Sequence, residues 1–192
     1  MITLVFFLEE LSARVLLEGL LPRFVPTESV KLRFVVFEGK QDLEKQLVRR
    51  MRLWRLPNTR FVVLRDQDSA DCKDVKTRLV ELCEQACHAE TLVRVACREL
   101  ESWYLGDLAA VERSLHVTGL SAKRDTQKLR DPDAVYAPSK ELDALTGGVY
   151  QKVAGSRAIA PHLNLAGENR SRSFGVFIAS VQRVVDEALA GA

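Results

Sequence analysis

Residues 60–72 read Arg-Phe-Val-Val-Leu-Arg-Asp-Gln-Asp-Ser-Ala-Asp-Cys, an apolar run followed directly by acidic and small polar side chains. The apolar run over 61–64 is rich in β-branched and aromatic residues and is too short for a helix, which predicts a buried strand. A helical pattern begins near Lys73. Because open α/β sheets bind ligands at the carboxyl ends of their strands, the loop that carries Asp66 and Asp68 is a candidate site.

The acidic pair in this loop suggests a metal ligand. Asp66 and Asp68 are two residues apart, so on a continuing strand both side chains would face the same side. Two close carboxylates raise each other's pKa unless a cation lies between them. Mg²⁺ prefers oxygen ligands and takes few of them from the protein, so the pair is a candidate magnesium site. The alternative is a solvated turn, in which Asp and Ser are common.

The composition is typical of an ordinary globular protein. A chain of 192 residues can build one substantial core, and 47% of its residues are apolar. The net charge of +2 permits nucleic-acid binding only through local basic clusters. The apolar run over 2–8 is too short to cross a membrane and lacks the basic flank of a signal peptide, which predicts a cytoplasmic protein. The four cysteines lack metal-site spacing and are typical of free thiols in a reducing compartment.

The first hundred residues alternate between strand and helix patterns. Strands are predicted over 2–8, 32–37, 61–64 and 91–96, and helices over 13–21, 41–54 and 73–89. This alternation predicts an α/β fold with a mostly parallel sheet flanked by helices. Beyond Leu115 the chain becomes polar and turn-rich, and helices are predicted over 138–145, 150–163 and 174–189. We expect a single domain over 1–192, with an α/β core over 1–115 and a helical C-terminal extension over 116–192.

Glu38 follows the second predicted strand and is interpreted as solvent-exposed, whereas pairs of acidic residues follow the other three. They are Glu9 and Glu10, Asp66 and Asp68, and Glu99 and Glu101. Parallel strands bring their carboxyl ends to one edge of the sheet, so we expect these side chains to gather there. Helical spacing would place Glu99 and Glu101 about 200° apart, so that one of them faces the site, whereas on a strand both would. Of the two, Glu99 is favoured.

A basic segment follows in the extension. Between 147 and 183 the sequence has five basic residues against one acid. Clustered basic side chains are the electrostatic signature of nucleic-acid binding. The candidate contacts with a phosphate backbone are Lys152, Arg157, Arg170 and Arg172. The alternatives are that this segment docks a protein partner or only solvates the surface.

Three short segments resemble an uncharacterised bacterial family, the domain-of-unknown-function family numbered 4276, which is regarded as Toprim-like. They are Phe-Leu-Glu-Glu-Leu-Ser over 7–12, Arg-Asp-Gln-Asp-Ser over 65–69 and Arg-Glu-Leu-Glu-Ser-Trp over 98–103. The segment over 150–161 is also similar to members of that family. A strand-end glutamate followed later by a strand-end Asp-x-Asp resembles the Toprim domain of topoisomerases, primases and related nucleases.

The resemblance implies roles for the acidic residues. Glu9 would act as general acid/base, and Asp66 and Asp68 would bind Mg²⁺ or Mn²⁺, with Glu99 as a further ligand. Many relatives have glycine after the first glutamate, where this chain has Glu10, so which of Glu9 and Glu10 faces the site stays open. The same holds for Glu99 and Glu101.

The function that the resemblance implies is a Mg²⁺-dependent nuclease, of a kind found in bacterial and phage-defence systems beside an ATPase. The physical argument agrees, since phosphodiester cleavage needs a cation to neutralise the phosphate and a group that moves a proton. The alternative is a non-catalytic partner subunit of an ATPase, or a nucleic-acid-binding module. A third, small-molecule phosphatase, is disfavoured because Ala70 stands where such enzymes of the haloacid dehalogenase type carry Thr or Val. The absence of GxxxxGK[ST] and GxGxxG motifs leaves those kinds of nucleotide binding without support.

Overall fold

The computed structural model describes residues 1–191, and its central element is a parallel sheet. The strands are β1 (Ile2–Leu8), β2 (Val30–Val36), β3 (Thr59–Asp66) and β4 (Leu92–Ala96). Within the described residues the sheet has four strands in the order β2-β1-β3-β4, and all three pairings are parallel. β1 is buried at all seven positions because it lies between two strands with helices on both faces. The predicted mostly parallel α/β sheet is confirmed.

Helices cover both faces of this sheet. Those of the first hundred residues are α1 (Leu11–Leu20), α2 (Lys40–Arg52) and α3 (Cys72–Gln85). Alternate residues of β1 point to opposite faces. Phe6 packs in the core that contains α1, whereas Phe7 packs in the core that contains α2 and α3.

The helical C-terminal extension is present as predicted. It follows α4 (Glu101–Leu105) and α5 (Leu108–Leu115), and its helices are α6 (Pro138–Leu145), α7 (Lys152–Ile159) and α8 (Arg172–Ala190). Together α4 to α8 pack on the α1 face of the sheet, where Trp103 is fully buried and meets the ring of Phe174 with centroids 5.4 Å apart. Helices α1 and α4 to α8 therefore share one hydrophobic core with this face of the sheet.

Several helix boundaries differ from the predicted ones for local reasons. The helix predicted over 150–163 is α7, followed by a separate 3-10 turn over Ala160–His162, because Pro161 lacks the N–H that would continue an α-helix. The helix predicted over 73–89 ends at Gln85, and Cys87 has a positive φ of 65°. Among residues 1–191, none of the helices combines the length and apolar character that crossing a bilayer requires.

Candidate active site

Glu9 lies at the carboxyl edge of the sheet, where the ends of β1 and β3 meet. Leu8 pairs with Leu64, so the next residue of the first strand comes beside the end of the third. Oε2 of Glu9 accepts a hydrogen bond from the backbone N–H of Asp66, with a distance of 3.3 Å. The parallel register therefore brings these two predicted site residues together.

The buried Arg65 side chain lies beside Glu9. Its Nε is 3.7 Å from Oε2 of Glu9, and its other guanidinium nitrogen Nη1 is 2.6 Å from Oε1 of Glu44. Burial raises the pKa of Glu9, the charge of Asp68 raises it further, and the charge of Arg65 opposes the rise. Glu9 is therefore a carboxyl group whose pKa has moved toward neutrality, which is the property that a proton-transferring group needs.

Asp66 and Glu101 are two neighbouring acidic groups that both have raised pKa values. Asp66 is the last residue of β3, and its pKa is raised well above the usual range by burial and then by the charges of Glu101, Glu10 and Glu9. Glu101 begins α4 and is only 1% exposed. Its Oε1 accepts a hydrogen bond of 2.9 Å from the Tyr150 hydroxyl, whereas its Oε2 is buried and has no hydrogen-bond partner among residues 1–191.

Burial is also the main cause of the raised pKa of Glu101, which the charge of Lys152 and the Tyr150 hydrogen bond only partly offset. A carboxylate that is buried without full pairing costs free energy, because it has lost water and gained too little in return. The protein therefore holds a destabilising concentration of negative charge at this edge.

Asp68 lies in a different conformation from the one that strand alternation would give. β3 ends at Asp66, and Asp68 has a positive φ of 57°, so the two side chains are not alternate residues of one strand. The backbone N–H of Asp68 donates to the carbonyl of Arg98 over 2.7 Å. Its Oδ2 accepts from Nζ of Lys40 over 2.8 Å. A turn of the chain, rather than strand geometry, places Asp68 at the edge.

Glu10 and Lys152 join the extension to the acidic edge. Nζ of Lys152 is 2.7 Å from Oε2 of Glu10, and the other carboxylate oxygen of Glu10 accepts from the Ser12 hydroxyl over 2.5 Å. Burial alone would lower the pKa of Lys152, but the hydrogen bond with Glu10 and the charge of Glu101 raise it to about 12. Lys152 is thus a fixed positive charge that faces the acidic residues.

Glu99 has a role that differs from that of Glu101. Its Oε2 accepts a hydrogen bond of 2.7 Å from the backbone N–H of Ser139, in the first turn of α6. Glu99 also lines a cavity of about 360 Å³ together with Asp68. Among the neighbouring charges that raise the pKa of Asp66, that of Glu101 has the largest effect, which favours Glu101 over Glu99 as the partner of Asp66.

The four basic residues predicted to contact nucleic acid lie in different parts of the structure. Lys152 contacts the acidic edge, whereas Arg157 is exposed on α7. Arg170 donates to the Arg124 carbonyl over 2.8 Å and to a carboxylate oxygen of Asp125 over 2.6 Å. Arg172 lines a separate cavity beside β4. Of the four, the structure brings Lys152 into direct contact with the predicted acidic residues.

The carboxylates fit a divalent cation chemically, although their present pairing is with basic side chains. Among residues 1–191, no three His, Cys, Asp or Glu side chains stand ready to bind one metal ion together. Lys40, Lys152 and Arg65 form ion pairs with Asp68, Glu10 and Glu9. Carboxylate oxygens are nevertheless the ligands that a hard cation prefers. A bound cation would give the unpartnered Oε2 of Glu101 a partner and would reduce the repulsion that raises the pKa of Asp66.

Three residues that contribute to this edge were not predicted from the sequence as site residues, namely Lys40, Arg65 and Tyr150. Each adjoins a segment that the reasoning had singled out. Arg65 directly precedes the Asp-x-Asp, Tyr150 begins the segment over 150–161, and Lys40 follows the end of the second predicted strand. For Lys40 and Arg65, the available signal was a basic residue close to the acid at the end of a strand. Tyr150 had no signal other than its place at the start of that segment.

The comparisons with known proteins concern the family and the fold. A family model described as Domain of unknown function (DUF4276) matches residues 7–182. No functionally curated protein matches the sequence. Among solved structures, the chain is similar to the C-terminal region of the Burkholderia pseudomallei OLD protein, with a TM-score of 0.56 and 17% identity over 95% of this chain and 98% of that one. At this identity the likeness concerns the fold alone.

Proposed function

The chain belongs to the family described as Domain of unknown function (DUF4276), and we propose that it is a Mg²⁺- or Mn²⁺-dependent phosphodiesterase that acts on nucleic acid. One observation carries the proposal. Asp66 sits at the carboxyl edge of a parallel sheet, with its pKa raised by burial and by the charges of Glu101, Glu10 and Glu9. Such mutual repulsion is relieved when a cation binds between the carboxylates.

Asp66, Asp68 and Glu101 are the residues that would bind the cation. When bound, a divalent cation neutralises the phosphate and stabilises the charge that develops on its oxygens. Lys40 now pairs with Asp68, so cation binding would release its amino group toward the solvent-facing side of the edge. An ammonium group freed in this way is suited to hold a phosphate as a point charge.

Glu9 is the group that moves a proton in this proposal. Its raised pKa keeps part of the population protonated closer to neutral pH than an ordinary carboxyl group would be. The backbone N–H of Asp66 and the Arg65 guanidinium fix its Oε2 in place. Lys152, held against Glu10, adds a positive charge that would attract the phosphate backbone.

A specific observation also favours the alternative function, a non-catalytic subunit that binds an ATPase partner or nucleic acid. Basic side chains pair with Glu9, Glu10 and Asp68, and such compensation is also what a purely structural edge would need. The similar solved structure is the C-terminal region of the OLD protein, so this fold occurs there as part of a longer chain. The bacterial and phage-defence context, the cytoplasmic location and the ATPase partner, which the resemblance and sequence imply, belong to this proposal as well.

The test is a cleavage assay with purified protein and end-labelled DNA and RNA, in millimolar Mg²⁺ or Mn²⁺ or in EDTA. We expect cleavage that needs the metal and that falls at least about 100-fold in Asp66→Asn, as is common for loss of a group that stabilises developing charge. Glu28→Gln is the matched control, because Glu28 is exposed just before β2, at the opposite edge of the sheet. Metal-independent cleavage, or equal cleavage by Asp66→Asn, would contradict the proposal, and no cleavage by the parent would favour the alternative.

A further inference from the structure

A polar cavity of about 360 Å³ opens directly beside the acidic edge. It lies where the loops after β3 and β4 meet the start of α6, and Asp68 and Glu99 form its acidic wall. A volume of this size falls in the range of sites that take small ligands. Its remaining wall is basic and aromatic, from Lys40, Arg98, Lys140 and Tyr136.

The two loops that form the cavity are tied together in an uncommon conformation. Asp68 and Arg98 have φ values of 57° and 61°, which non-glycine residues adopt at a cost. The backbone N–H of Asp68 donates to the Arg98 carbonyl, and the backbone N–H of Arg98 donates to Oε1 of Gln67 over 3.2 Å. These bonds fix the backbone of Arg98 relative to Asp68, and Nη1 of the Arg98 side chain donates to the Asp68 carbonyl over 3.5 Å.

Tyr136 is an aromatic ring that the fold holds in solvent. The residue is 82% exposed, yet its neighbours Val135 and Pro138 are buried. The hydrogen bond from Ser139 to Glu99 anchors the same segment to the end of β4. A ring that is exposed while its backbone is anchored on both sides can receive a flat ligand with little loss of conformational entropy.

The positive charges around Tyr136 are available to a ligand. The Arg98 guanidinium carbon lies over the Tyr136 ring, 5.9 Å from its centroid. Among residues 1–191, neither Arg98 nor Lys140 has a carboxylate within ion-pair distance. Lys40 forms the opposite wall, paired with Asp68. The cavity therefore combines one exposed aromatic face with two uncompensated cations, a pairing that suits a base and its phosphates.

We propose that this cavity receives one unpaired nucleotide, so that the acidic edge acts on single-stranded nucleic acid. The base stacks on the exposed Tyr136 ring, while Arg98 and Lys140 contact the flanking phosphates. A base in a duplex is already stacked on both faces and would have to be unstacked to reach the ring, which costs free energy. A reaction at the acidic edge rests on the proposed function, whereas the preference for an unpaired nucleotide rests on the cavity alone.

The experiment is fluorescence anisotropy in EDTA, with a fluorescein-labelled oligothymidine strand and a blunt duplex of the same length. We expect the single strand to bind more tightly than the duplex. Tyr136→Ala should weaken single-strand binding by about 5- to 150-fold, the range that corresponds to loss of one base–aromatic stack, and Tyr136→Phe should bind like the parent. Tyr136 is exposed, so its replacement should leave the thermal melt unchanged.

The salt dependence gives a second, independent readout. Lys140→Ala should reduce the slope of log affinity against log salt by about 0.7, the value for one phosphate contact on a single strand. Lys31→Ala is the matched control, because Lys31 is exposed near the start of β2, at the opposite edge of the sheet, and it should leave the slope unchanged.

Three results would overturn the inference: a parent that binds neither strand nor duplex, duplex binding as tight as single-strand binding, or Tyr136→Ala binding like the parent. Because EDTA removes the metal, this outcome is independent of cleavage. Binding that depends on Tyr136 in a protein that cleaves nothing would refute the proposed phosphodiesterase and leave the nucleotide site standing.

Discussion

Replacing Glu101 with glutamine should stabilise the metal-free protein, which is unusual for a change at a buried residue. Glutamine keeps an oxygen that can accept the 2.9 Å hydrogen bond from Tyr150. It removes the negative charge that is buried beside Asp66 and whose Oε2 lacks a hydrogen-bond partner among residues 1–191. The substitution therefore relieves the repulsion without opening a cavity.

The expected gain is modest and depends on pH. An unpartnered buried polar group costs about 1–3 kcal/mol, and since the new amide nitrogen must also be accommodated, we expect about 1–2 kcal/mol of stabilisation. In a chain of this size each kcal/mol raises Tm by about 2–4 °C. The folded-state pKa of Glu101 lies above its ordinary value of 4.5, so the folded parent binds the extra proton below that folded pKa and loses stability as pH rises through it. The advantage of the variant should therefore be absent below pH 4.5 and should grow as the pH rises through the folded-state pKa of Glu101.

The measurement is a thermal melt of the parent and of Glu101→Gln, followed by circular dichroism in EDTA at a series of pH values from below 4.5 to neutral. Glu99→Gln is the matched control. Glu99 also follows the end of β4, but it accepts a hydrogen bond from Ser139 and is not among the charges that raise the pKa of Asp66. We expect this control to leave Tm unchanged or slightly lower. A Glu101→Gln variant that is less stable than the parent at neutral pH, or equally stabilised at every pH, would refute the reasoning.

Two further outcomes are expected at the other predicted site residues. Asp68→Asn should weaken Mg²⁺ binding in a calorimetric titration while changing stability by at most about 1 kcal/mol, since asparagine tolerates the positive φ of this residue and the Lys40 pair that is lost is partly exposed; equal Mg²⁺ affinity in mutant and parent would remove Asp68 from the site. The double variant Arg157→Glu/Arg170→Glu should keep its Mg²⁺ affinity and lose nucleic-acid affinity in anisotropy if the basic segment contacts phosphates; unchanged nucleic-acid binding together with failure to co-purify with a partner would instead assign this segment to docking.

Much of the fold could be predicted because its signals are local. β1 runs from Ile2 to Leu8 as predicted, since this run is apolar apart from Thr3 and is followed at once by Glu9 and Glu10. The same holds for α6, which begins with Pro138 and ends at Leu145 as predicted. The alternation of short apolar runs with amphipathic segments was enough to predict a parallel sheet flanked by helices.

The details of the site depend on contacts between residues far apart in the chain. The pairing of Asp68 with Lys40 spans 28 positions, and that of Glu101 with Tyr150 spans 49. Neither leaves a periodic trace in the sequence. Which of Glu99 and Glu101 is buried beside Asp66 had no local signal either, because it depends on α4 beginning at Glu101. The positive φ of Asp68 was likewise invisible, since nothing about an aspartate marks that conformation.

The central claim is that the acidic edge binds a divalent cation, and isothermal titration of the purified protein with Mg²⁺ and with Mn²⁺ tests it most directly. We expect a saturable heat of binding for the parent, retained by the control Glu28→Gln and weakened at least about tenfold, or roughly 1.4 kcal/mol, by Asp66→Asn. A parent that binds neither ion, or an Asp66→Asn variant that binds both as tightly as the parent does, would contradict the claim.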